Sequence, residues 1–68
     1  MDAVAIFGKN VRKIRLESAL SQEELAFRAG LKRSYLSDLE RGTRNPSVRT
    51  LGRLAIALDV EMAALLAI

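Results

Sequence analysis

The chain has neither cysteine nor histidine. Without thiols there is no disulfide framework and no thiolate metal site, which suits a reducing compartment. Without imidazole the usual zinc ligand sets are closed as well, so no metal is expected. Proline occurs once and glycine four times, never clustered, and no low-complexity tract or internal repeat breaks the chain. With 50% of its residues apolar, the composition argues against disorder, and the whole chain is expected to fold. There is no long hydrophobic run either. The N-terminal AVAIFG is too short for a membrane span and follows Asp2, where a secretory signal would carry positive charge. The expectation is a cytoplasmic protein without membrane contact.

Catalytic constellations are missing too. The Ser and Tyr residues have no His or Cys beside them, there is no S-x-x-K and no Gly-rich phosphate loop, and Glu23 and Glu24 are neighbours in a first helical turn, where acids favour the helix dipole. The chain is therefore expected to be a non-enzyme without a cofactor.

What is present is short and unevenly charged. Its 68 residues allow one domain, 1–68. A chain of this size buries only about 60% of its unfolded surface, so a partner or a second copy would add to a thin stability margin. The net charge of +3 hides a basic centre: residues 28–53 carry seven Lys and Arg against Asp38 and Glu40, while the rest carries four basic and six acidic groups. Such a distribution suits a polyanion as partner, although a solvated charged surface explains the charge alone equally well.

Helix signals cover nearly the whole chain. Phe7, Val11 and Ile14 recur at helical spacing over about 3–18, with Lys9, Arg12 and Lys13 outward. Ser21 followed by Glu24 is a capping box, opening a second helix at Gln22 that turns Leu25, Ala26 and Ala29 inward and stops at Gly30. A third helix runs from about Arg33 to Arg41 and stops at Gly42. After the loop TRNP, Ser47 caps a fourth helix with Val48, Leu51, Leu54, Ala55 and Leu58 on one side. A short fifth helix at about 61–67 closes the chain with Met62, Leu65 and Leu66. No segment sustains the alternation of a strand, so the fold class is all-α with five helices.

The second and third helices carry the specific pattern. Counting Gln22 as the first of twenty positions, Leu25, Ala26, Ala29, Gly30, Leu31, Leu36 and Leu39 fall at places 4, 5, 8, 9, 10, 15 and 18 of a helix-turn-helix. The fifth place must be small where the helices cross, the ninth must tolerate positive φ, and the others fill the wedge between helices. Opposite Leu36 and Leu39 on the third helix lie Ser34, Ser37, Asp38 and Arg41, with Arg33 at its start and Tyr35 on one flank.

On these residues the stretch from Leu20 to Val60 resembles the Cro/C1-type, or XRE-type, helix-turn-helix transcriptional regulators, and RSYLSDLERGTRN is similar to the controller proteins of restriction-modification systems. The resemblance implies a compact lambda-repressor-like domain, double-stranded DNA as partner, a homodimer on a palindromic operator and RNA polymerase as a further partner. Arg33, Ser34, Ser37 and Asp38 then face the bases of a major groove, Arg33 through the bidentate pair with guanine. Asp38 either accepts a hydrogen bond from cytosine N4 or orients Arg41. Tyr35 either packs on the core edge or donates to a phosphate.

Further contacts follow from the resemblance. Gln22, at a helix N-terminus that favours phosphate, matches a glutamine that touches the DNA backbone; Arg44 and Asn45 lie in a loop that runs beside it, and Arg41 joins this backbone set. Arg15 and Glu40 match a structural ion pair. Lys32 departs from the usual Ser, Thr or Asp cap of the third helix, Asp59 from the frequent Gly after the fourth, and Gly52 stands inside a helix. The competing class is a helical protein-interaction module, an antitoxin or anti-regulator, whose affinity for duplex DNA would show no salt dependence. Finally, Ile56 lies about 140° from Leu51 around the fourth helix, and with Leu66 and Ile68 it is expected to form the dimer interface.

Overall fold

The structure is a computed structural model that describes residues 2–68; Met1 lies outside the described residues. Four α-helices, α1 (Ala3–Glu17), α2 (Gln22–Ala29), α3 (Arg33–Arg41) and α4 (Val48–Leu58), are followed by a 3-10 turn at Met62–Leu66. There is no strand among the described residues. No helix of the described residues is long and apolar enough to cross a membrane.

The boundaries follow from local chemistry. Asp2 accepts the Val4 amide at the start of α1, and Ser21 and Glu24 form the reciprocal box at α2. Ser47 accepts the Thr50 amide at α4, whereas Lys32 offers α3 no side-chain cap. Gly30 and Gly42, at φ of 70° and 78°, take the left-handed conformation that ends α2 and α3 and redirects the chain. Asp59 ends α4 in the same conformation at φ 57°, without glycine's freedom from steric cost.

All elements converge on one apolar core. Phe7 and Val11 of α1, Leu25 and Ala26 of α2, Leu36 and Leu39 of α3, and Leu54 and Ala55 of α4 are buried, and Leu65 of the 3-10 turn closes the cluster. α3 packs on α1 and α2, so its inner face is held on two sides and its outer face is left free. The approach of α1 to α3 is close enough to require Gly8: a Cβ there would collide with the Leu39 carbonyl oxygen and stand 3.0 Å from that of Glu40. Asn10, on the same helix, donates to the carbonyls of Leu65 at 3.0 Å and Ala67 at 2.7 Å, tying the end of the chain back to α1.

Two packing expectations are corrected. Val48 is 78% exposed rather than in the core, because a helical side chain leans over the turn preceding its own Cα, and before α4 there is only the solvated loop 43–47. Thr50 is buried in the first turn instead. The closing helix is a five-residue 3-10 turn, and only Leu65 in it is buried. Met62 stays exposed, since so short a segment presents one side to the core, while the exposure of Leu66 agrees with its place outside the core.

Candidate nucleic-acid interface

Beneath the free face of α3 lies a fixed electrostatic support. Arg15 from α1 meets Glu40 from α3 in a two-pronged pair, Nε to Oε2 at 2.7 Å and Nη2 to Oε1 at 3.0 Å. Its third contact, Nη1 to the Leu20 carbonyl at 2.9 Å, secures the turn between α1 and α2. Side-chain exposure is 9% and 3%, so the pair is inside the protein. A buried pair stripped of one member leaves an uncompensated charge and costs about 3–5 kcal/mol. No buried side-chain polar atom among the described residues lacks a partner.

Gln22 continues this chain outward. Its Nε2 donates to Glu40 Oε1 at 3.0 Å, which fixes the amide at the edge of α3 and leaves its second N–H free. Gln22, Arg33, Ser34 and Ser37 together line one shallow recess. Arg33 and Ser34 are exposed and Ser37 is half-buried, so a short-side-chain floor sits between a guanidinium and an amide.

The other half of the surface is a network of charges. Arg41 donates to Asp38 and, at 3.2 Å, to the Ser37 hydroxyl. Arg44 reaches the same Asp38 carboxylate from the following loop at 3.8 Å, and its guanidinium stands 4.9 Å from the centroid of the Tyr35 ring. Tyr35 packs against the core edge, and its hydroxyl donates to Thr50 Oγ1 at 3.4 Å. Ser47 Oγ in turn donates to Thr50 Oγ1 at 3.1 Å, joining the N-terminus of α4 to this side of the surface. Asn45 is exposed in the loop.

The Glu24 carboxyl is held below its ordinary value of 4.5, chiefly by the Ser21 backbone N–H that donates to it, with the Ser21 side chain and Arg28 adding to the effect.

The residues assigned to the dimer interface are exposed but not in one recess. Ile56 is 82% exposed and lines a hollow with Val60 and Glu61, whereas Leu66 and Ile68, at 47% and 98%, line another with Ala3 and Ile6. Sequence reasoning missed Asn10, Thr50 and the Gln22 to Glu40 bond. Asn10 bonds to carbonyls at the other end of the chain, Tyr35 reaches Thr50 from fifteen residues away and Gln22 reaches Glu40 from eighteen, so no local pattern signals them.

A nine-residue helix carrying polar side chains outward, braced by an α2 that meets it across a glycine turn, defines a helix-turn-helix DNA-binding regulator, a class without enzymatic chemistry. The chain belongs to that family: the Helix-turn-helix family profile matches residues 11–65. Within it the chain is similar to control proteins. It is 51% identical over 57 residues to control protein C.BamHI of Bacillus amyloliquefaciens, spanning 82% of this chain and 70% of that one. The crystal structure of the restriction-modification controller protein C.AhdI from Aeromonas hydrophila superposes with a TM-score of 0.89 at 47% identity, covering 91% of this chain and 94% of that one. SinR, a master regulator for biofilm formation solved in complex with DNA, superposes at 0.85 with 39% identity, covering 90% and 98%.

Proposed function

We propose that the chain reads a roughly palindromic duplex operator as a homodimer, and that the operator controls a restriction-modification system. The observation that carries the reading is the recess that brings Gln22 of α2 beside Arg33, Ser34 and Ser37 of α3. With α3 in the major groove, Arg33 pairs with guanine O6 and N7, and the two serines allow the helix axis to approach the base edges. Gln22 gives its free amide N–H to a phosphate, and Arg41, Arg44 and Asn45 follow the backbone beside it. Tyr35 acts through Arg44, which rests on its ring. Similarity to C.BamHI and C.AhdI supports the regulated locus, and similarity to SinR supports the DNA-facing surface.

The test is selection of duplexes from a random pool by the wild-type chain and by Arg33→Ala. The wild type is expected to enrich a two-fold symmetric sequence found upstream of restriction or modification genes. Arg33→Ala is expected to cost about 1–3 kcal/mol on that site and to relax preference at its guanine. An unchanged preference in the variant removes Arg33 from the base-reading set.

A further inference from the structure

The geometry points to Asp38 as a charge clamp: it holds Arg41 and Arg44 off the phosphates of wrong DNA and so sets the ratio of specific to non-specific affinity. This rests on the DNA-binding reading above and assigns Asp38 a task other than base recognition.

The observation to be explained is a carboxylate in the middle of a surface meant for a polyanion. Asp38 is half-buried, with 29% of its side chain exposed, and takes no part in the core. Its two oxygens are divided between two arginines. Oδ1 receives Arg41 from one turn further along α3, and Oδ2 faces Arg44 of the loop at 3.8 Å. Each arginine is also held from its other side, Arg41 by the Ser37 hydroxyl and Arg44 by the Tyr35 ring. Both arginine side chains stay more than half exposed, at 62% and 57%, so an arginine that leaves the carboxylate is already at the surface a duplex meets. Two positive charges that could follow the backbone of any duplex are thereby offset by one negative charge and confined in direction.

The two arms differ in strength. Arg41 makes a hydrogen bond to the carboxylate within its own helix, whereas Arg44 is in ion-pair range from a loop. Arg44 is therefore the arm that opens. On a matching site, contacts by Arg33, Ser34 and Ser37 bring α3 deep enough into the groove for Arg44 to exchange Asp38 for the DNA. On a mismatched duplex α3 stays further out and the carboxylate keeps Arg44. Non-specific affinity comes almost entirely from phosphate neutralisation, so each cation withheld lowers it and flattens its dependence on salt.

The experiment compares wild type, Asp38→Asn and Asp38→Asn combined with Arg44→Gln. Affinity is measured across a salt series on two probes, the duplex enriched by wild type and a mixed random-sequence duplex, and base preference is measured on single-base variants of the first. Melting curves confirm that each variant folds. Asp38→Asn is expected to bind the random duplex roughly three- to tenfold more tightly and to steepen its log-log salt slope by about 1, since one further phosphate contact contributes about 0.9. The double variant is expected to return the slope toward wild type, which identifies Arg44 as the released arm. Loss of discrimination confined to one base pair, with random-duplex affinity and slope unchanged, would make Asp38 a base reader and overturn the clamp. Identical behaviour of wild type and Asp38→Asn on both probes would overturn it too, while leaving DNA binding in place. A wild type whose affinity is insensitive to salt on both probes would overturn the DNA-binding reading itself, and the clamp with it.

Discussion

Two glycines inside helices have opposite meanings at the residue scale. At Gly8 the α1 backbone lies against the carbonyls of Leu39 and Glu40, so the hydrogen side chain is what lets α1 reach α3. At Gly52 in α4 an added Cβ would meet nothing within 4 Å. Gly52→Ala is expected to stabilise the protein by roughly 0.5–1 kcal/mol through lower backbone entropy in the unfolded chain. Gly8→Ala gains the same propensity but is expected to lose about 1–3 kcal/mol net, because backbone atoms must move. In a domain this small, 1 kcal/mol shifts Tm by roughly 4–8 °C, so thermal unfolding distinguishes the two signs. A higher Tm for Gly8→Ala would mean that α1 and α3 separate without cost. The sequence shows a glycine in a helical pattern in both places; which one meets a neighbour depends on a residue about thirty positions away, and no local rule reports that.

At the scale of elements, what the sequence made legible was whatever depends on near neighbours. The Ser21 and Glu24 box, the Ser47 cap, the glycine stops after α2 and α3 and the missing cap at Lys32 are interactions within four residues, and each stands where the pattern put it. The inner stripe of α3 and the polar outer face follow from helical period alone. Val48 was not legible, since its burial depends on what precedes α4 in space. The network from Arg41 through Asp38, Arg44 and Tyr35 to Thr50 was legible only at its i,i+3 link. The α2 box also sets an acid-pH response. Folding lowers the Glu24 pKa, so the stabilisation is complete above the ordinary value of 4.5 and is lost as pH falls through the lower, folded value. Wild type should therefore melt above Glu24→Gln near neutral pH, and the gap should close as the solution is acidified below about 4.5. A gap that is the same at both ends of the titration would show that folding does not lower the Glu24 pKa.

For the whole molecule the question is how one small body would reach the two-fold symmetric operator proposed above. Its extents are 29 × 21 × 20 Å, and half-sites one DNA turn apart require recognition helices about 34–36 Å from each other. Two copies side by side span that distance only if their α3 helices point away from the contact. A stable pairing needs about 800 Å² from each copy's 4458 Å², which Ile56 alone does not supply and which Leu66 and Ile68 would have to extend. Ile56→Asp and Ile68→Asp are expected to shift micromolar sedimentation from dimer to monomer and to make a full site bind no tighter than a half-site. A wild type that sediments as a monomer, with or without DNA, removes the dimer. The buried Arg15 to Glu40 pair carries one more implication. Mobile ions screen exposed charges over about 8 Å at physiological ionic strength but penetrate a protein interior far less. The molecule thus holds two electrostatic systems with unequal sensitivity to the medium, one inside that sets the pose of α3 and one outside that meets the polyanion. Raising ionic strength switches off the outer system while the inner one persists, so the protein can leave DNA in brine still folded and return to it on dilution.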